Sequence, residues 1–127
     1  MVMHKHLLIN AKVKRPIISV QEGEEFLEKL VGKIGMNIVR GPIGAYVKAK
    51  GNRGLTAMVS IETSHIAYHI WDELDPAHLQ FDLYTCSTLK HKDVLKFIDK
   101  YMKFDSVDWI LFDRQNGFEE IERGDSW

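Results

Sequence analysis

At 127 residues the chain is long enough for one core and too short for two; 45% apolar against 28% charged residues is the balance of a folded soluble domain, not of a disordered segment. A net charge of −1 advertises neither a basic face for nucleic acid nor an acidic tail. The longest apolar runs, such as Trp109-Ile110-Leu111-Phe112, are too short for a membrane, Met-Val-Met-His-Lys-His is no secretory signal, and a single cysteine, Cys86, excludes an internal disulfide framework, so the cytoplasm is the expected compartment.

In chain order, Leu7, Ile9, Ala11 and Val13 alternate with His6, Leu8, Asn10 and Lys12, the pattern of a half-buried strand that ends before Pro16. Phe26, Leu27, Leu30, Val31 and Ile34 recur at helical spacing, which predicts a helix over Glu22 to Ile34 with Gly35 at its C-terminus. The charged residues of that segment form its solvated face. Two short apolar stretches follow, Met36 to Val39 and Ala45 to Val47, separated by the turn signal Gly41-Pro42. Gly51-Asn52-Arg53-Gly54 reads as a loop, then Leu55 to Glu62 and His65 to Trp71 as two strands in quick succession. Leu79 to Thr85 alternates again, with Leu79, Phe81 and Leu83 inward. Ser87 or Thr88 is positioned to cap a second helix whose apolar face is Val94, Leu95, Phe97, Ile98, Tyr101 and Met102. Val107 to Phe112 reads as a last strand, followed by a polar tail. Strands joined by short turns pair antiparallel, so the expected architecture is an α+β two-layer sandwich, a mainly antiparallel sheet with both helices on one face. The other sheet face then needs cover, which a partner subunit would supply.

The chemically informative segment is Gly54 to Cys86. Alternation on the strand after Ser64 puts His65, Ala67, His69 and Trp71 on one face and Ile66, Tyr68 and Ile70 on the other. On the later strand, Asp82, Tyr84 and Cys86 share the face opposite Phe81, Leu83 and Thr85. A hydroxyl, an imidazole and a lone thiol are thereby candidates to converge. Taken singly, Ser64 reads as a turn serine, His69 as a hydrogen-bonded strand histidine, Trp71 as packing and Cys86 as a buried apolar thiol. His4 and His6 form a His-x-His pair, but no cysteine or carboxylate stands at ligand spacing from them, so no metal site is expected. Gly32, Gly35, Gly41 and Gly44 do not make a phosphate loop.

Ser64-His65-x-x-x-His69-x-Trp71-x-Glu73, followed by Asp82-x-Tyr84-Thr85-Cys86, resembles the signature of the short prokaryotic S-adenosylmethionine decarboxylases. Length, element order and motif order agree over nearly the whole chain, with Gly54 to Cys86 the specific part. The resemblance implies a self-cleaving enzyme made as a single chain, residues 1–127, and processed between Thr63 and Ser64. The serine hydroxyl would attack the carbonyl of Thr63, His69 would remove the serine α-proton, and β-elimination would leave Ser64 as a pyruvoyl group. Thr56 matches an upstream hydroxyl that assists. A pyruvoyl carbonyl forms a Schiff base with the substrate amine and acts as an electron sink for decarboxylation. Cys86 matches the proton donor to the resulting carbanion, Glu73 the carboxylate that binds the substrate ribose, and Trp71 lies in the same substrate-binding stretch. A homodimer is implied, because sites of this family combine residues of two subunits. The implied pathway role is polyamine synthesis.

Three features depart from the family pattern. Thr63 stands where glutamate usually precedes the serine, and Lys50 stands where an aromatic ring stacks on adenine, with Tyr46 the nearest aromatic. The interval from Ser64 to Cys86 is about two residues longer than usual, within what a turn tolerates. The residues therefore leave open a pyruvoyl decarboxylase of another amino acid, such as ornithine or arginine, and a non-processing homologue that only binds.

Overall fold

The computed structural model describes residues 3–127. Seven strands and two helices follow in the order β1 (Lys5–Val13), α1 (Val20–Lys33), β2 (Ile38–Val47), β3 (Gly54–Ile61), β4 (Ser64–Trp71), β5 (Ala77–Thr85), α2 (His91–Met102), β6 (Phe104–Asp113) and β7 (Glu119–Gly124). All pairings are antiparallel and the sheet order is β2-β3-β4-β5-β1-β6-β7. Both helices cover one face, so the expected α+β sandwich is the observed one. No described helix is long and apolar enough to cross a membrane.

The core follows from the period-two pattern. Leu7, Ile9, Ala11 and Val13 of β1, Ile66, Tyr68 and Ile70 of β4, and Leu79, Phe81 and Leu83 of β5 all turn to the helix side and are buried. Helix α1 closes on them with Phe26, Leu27, Leu30 and Val31, α2 with Val94, Leu95, Ile98 and Met102. Phe26 ties the layers together, its ring edge-on to Tyr68 of β4 at 5.9 Å and against Phe97 and Tyr101 of α2.

The structure corrects three details of the sequence reading. Met36–Val39 and Ala45–Val47 belong largely to one strand, β2: Gly41 and Pro42 do not reverse the chain but sit at register irregularities against β3, which an edge strand accommodates because proline's missing N–H can face away from the ladder. The polar tail contains β7, an edge strand rich in charge that pairs with β6. Helix α2 starts after Lys90, without a side-chain cap; Ser87 instead donates its backbone N–H to Thr85 Oγ1 at 3.0 Å. At the other helix, Ser19 caps α1 by accepting from Glu22 N–H at 3.3 Å.

Gly54 opens β3 with φ +147°, and a Cβ placed there would lie 1.6 Å from the Ile70 carbonyl oxygen. Backbone cannot yield as a side chain can. Gly54→Ala is expected to cost about 3 kcal/mol from strain and overpacking together, read as a melting temperature lower by roughly 10 °C.

Candidate functional site

The uncovered sheet face carries the polar members of each strand, and the ladder registers arrange them in three rows. One row runs Thr56, His69, Gln80, Asn10, Asp108; the next Ile43, Met58, Ala67, Asp82, Leu8, Ile110; the third Ser60, His65, Tyr84, His6, Phe112. A groove of about 520 Å³ crosses this face and is lined by Thr56, Met58, His69, Asp82 and Leu8 among others. The middle row is largely apolar, and Leu8 and Met58 are 38% and 46% exposed.

Ser64 opens β4 directly after the two-residue connection Glu62-Thr63 and holds φ at +144°, a region that side chains with a Cβ rarely enter. Its neighbour Thr63 is clamped. The Thr63 carbonyl accepts the Cys86 N–H at 3.1 Å, Thr85 Oγ1 donates to Thr63 Oγ1 at 2.8 Å, and Thr63 Oγ1 donates to Met36 Sδ at 3.6 Å. Ser64 and Thr85 are register partners, which brings Cys86 beside the serine. Cys86 is exposed, so the reading of it as a buried apolar thiol is excluded.

His69 lies elsewhere. Five residues further along β4, it is about 16 Å from Ser64 at a strand's rise of 3.2–3.4 Å per residue, and its register partner is Thr56. Its Nε2 is buried without a hydrogen-bond partner. Burial pulls its pKa below the ordinary imidazole value, with the Asn52 backbone and the Asp72 carboxylate pulling more weakly the other way, so at neutral pH the ring is uncharged, the form a base requires. Trp71 packs at a tilt against His69, ring centroids 4.2 Å apart, lies 5.3 Å from His78, and donates Nε1–H to Asn52 Oδ1 at 2.8 Å.

Glu73 faces the loop between β2 and β3, where its carboxylate accepts the backbone N–H groups of Arg53 at 3.0 Å and Gly51 at 3.2 Å. These two bonds hold its pKa below the usual carboxylate value. A second cleft of about 350 Å³ lies between Glu73, Trp71, His78, Leu74 and Gly51. The Tyr46 hydroxyl donates to Asp72 at 2.6 Å, which fixes the ring in place.

One cluster was not assembled from the sequence. Asp82 Oδ1 lies 2.8 Å from His65 Nε2 and 2.9 Å from His6 Nε2, Arg114 Nη1 lies 3.1 Å from His6 Nδ1, and Ser64 Oγ lies 3.3 Å from His65 Nδ1. His6 thus does meet a carboxylate, 76 positions away in sequence, which spacing along the chain could not reveal. The available signal was the shared polar face of His65 and Asp82; nothing pointed to Arg114. The three ligand atoms of His6, His65 and Asp82 lie within 4.8 Å of one another, yet 2.8 and 2.9 Å are hydrogen-bond spacings. Two donors bound tetrahedrally to one ion at 2.0–2.1 Å would stand about 3.4 Å apart.

An antiparallel two-layer sandwich here carries a strained serine at the exit of a hairpin, an exposed cysteine on the neighbouring strand and an uncharged imidazole farther along the same open face, groups able to take part in nucleophilic and acid–base chemistry. The S-adenosylmethionine decarboxylase family model matches residues 5–115, and the chain belongs to that family. No curated protein matches the chain. A decarboxylase-like function on a small-molecule substrate follows from the family.

Proposed function

We propose that the chain is a self-cleaving, pyruvoyl-dependent decarboxylase of S-adenosylmethionine that supplies the aminopropyl donor for polyamine synthesis. The observation that carries this reading is the Thr63–Ser64 junction. The serine backbone is strained, and the carbonyl its hydroxyl would attack already accepts the Cys86 N–H, a donor aimed where negative charge develops. The clamps on Thr63 explain how a β-branched residue serves where glutamate is usual. These features fit the generation of a pyruvoyl group at position 64; when formed, that group supplies the electron sink that decarboxylation of an α-amino acid demands.

Cys86, exposed and adjacent to position 64, is the proton donor in this reading, Glu73 and Trp71, which lie beyond His69 on the same chain, line the substrate cleft of a second copy, and Thr56 and His69 act in processing. Since His69 lies far from Ser64 on the same chain, it must act on the serine of a second copy. A two-fold axis through the apolar middle row exchanges the Thr56–His69 row with the His65 row, so that each Ser64 end meets a partner's His69, and the isologous contact covers the open face. The working form is therefore a homodimer.

Intact-mass measurement of the purified wild-type protein tests the reading: two fragments that part between residues 63 and 64 are expected, and a single unmodified chain after prolonged incubation rejects it. Release of labelled carbon dioxide from a panel of amino acids then fixes the substrate. Ornithine or arginine is the second reading, favoured by Lys50 at the adenine-stacking position. Cys86→Ala is expected to leave cleavage largely intact while lowering turnover by about 10²-fold or more; equal turnover contradicts the donor role.

A further inference from the structure

The hydrogen-bond partners around Ser64 determine where the protons sit. A guanidinium only donates, so His6 Nδ1, facing Arg114 Nη1 at 3.1 Å, is an acceptor and carries no proton. The His6 proton is then on Nε2, directed at Asp82 Oδ1. Burial raises the Asp82 pKa, but the bonds from His6 and His65 outweigh it and the net shift is downward, so this carboxylate is ionised and accepts from both rings. His65 in its neutral form accordingly holds its proton on Nε2, toward Asp82. Its lone pair is left on Nδ1, the atom 3.3 Å from Ser64 Oγ. Hydroxyl, imidazole and carboxylate follow one another in the order of an activated nucleophile, its base and the group that orients the base.

We propose that His65 is the general base for the first step of self-cleavage, with Asp82 its positioning residue and His6 and Arg114 holding Asp82 in place. The inference rests on the cleavage proposed above and adds a base distinct from His69. In the step, the Ser64 Oγ proton passes to His65 Nδ1 while Oγ bonds to the Thr63 carbonyl carbon. The carbonyl electron pair moves onto its oxygen, held by the Cys86 N–H. That pair then returns, the C–N bond breaks, and the proton on His65 is delivered to the Ser64 nitrogen, leaving an ester and a free amine with no other reactant. The imidazolium formed in between is stabilised by Asp82. The groups facing His65 are Ser60 on β3, Asp82 and Tyr84 on β5, and His6 on β1; Arg114, after β6, joins the cluster through His6, with its guanidinium 4.1 Å over the Tyr84 ring.

The test follows processing of freshly made full-length chains on denaturing gels across pH, with and without hydroxylamine, which cuts an ester between residues 63 and 64; its alkaline attack on Asn116-Gly117 is distinguished by fragment mass. His65→Gln is expected to slow processing by about 10²-fold or more, to remove the single-ionisation limb from the pH profile, and to yield no hydroxylamine-sensitive ester. His69→Ala should accumulate that ester. Added imidazole should partly restore cleavage in His65→Ala, and Asp82→Glu should recover part of what Asp82→Asn loses; both rescues exclude simple misfolding. Wild-type rate and pH profile in His65→Gln overturn this inference while leaving the cleavage reading in place. A wild-type chain that never cleaves removes both. Wild-type processing abolished by a chelator and restored by a divalent cation assigns the cluster to a metal instead and also overturns it.

Discussion

Ser64→Ala is expected to remain one 127-residue chain indefinitely, and to release no carbon dioxide from any amino acid above the uncatalysed rate. The substitution removes the only atom that can attack the Thr63 carbonyl within the same residue, and with it the source of the electron sink. Enzymes that stabilise such carbanions accelerate decarboxylation by on the order of 10⁶-fold or more, and no side chain that remains can replace a carbonyl in that role. The fold should survive: Ser64 is only partly buried, and its neighbours Ile61, Thr63 and Thr85 keep their ladder and clamp. Intact mass and a substrate panel, read beside a thermal melt, check this. Fragment formation in Ser64→Ala would place the cut at another bond.

The second large effect is recovery of cleavage from two inactive chains. Ser64→Ala has no nucleophile and His69→Ala no α-proton acceptor, so neither is expected to cleave alone. Co-expressed, they should form mixed dimers in which the Ser64 of the His69→Ala chain meets the His69 of the Ser64→Ala chain. That one site is complete; its counterpart lacks both groups. Fragments should therefore arise from the His69→Ala chain only, which a tag on either chain identifies by mass. The physical basis is the separation of about 16 Å along β4, which no side-chain rotation closes. Failure of the mixture to cleave, with mixed dimers demonstrated, would mean that the chain itself bends to bring His69 to Ser64.

Much of the fold was legible because burial in a two-layer sandwich writes itself as period two or 3.6. Leu7, Ile9, Ala11 and Val13 specified β1, and Phe26 to Ile34 specified α1, each from one clear face. Legibility failed where one-sided burial is absent. In β7, Glu119-Glu120-Ile121-Glu122-Arg123 is exposed throughout, so no hydrophobic alternation marks it. In β2, glycine and proline signal a turn locally, and only the pairing with β3 shows that the chain continues. The same division holds for the site. The neighbourhood of Ser64 and Cys86 was inferable, as both bound antiparallel strands in one motif. The His6–Asp82–His65–Arg114 cluster was not, because β1 is inserted between β5 and β6 and no local pattern encodes that insertion. The distance between Ser64 and His69 is a plain consequence of strand rise, yet motif order alone suggests proximity.

The position of β1 also governs what a severed molecule would be. Residues 1–63 contribute β1, α1, β2 and β3, and the remainder contributes β4 to β7 with α2, but β1 is threaded between β5 and β6. Nine residues of the first piece are thus zipped on both flanks to the second, and β3 remains laced to β4. The two pieces are interlocked like clasped fingers, so scission releases nothing: they should co-elute under native conditions and part only in denaturant. It follows that assembly must precede scission, since a first piece freed early would have to find its slot between β5 and β6, an interior position of the sheet that it alone fills.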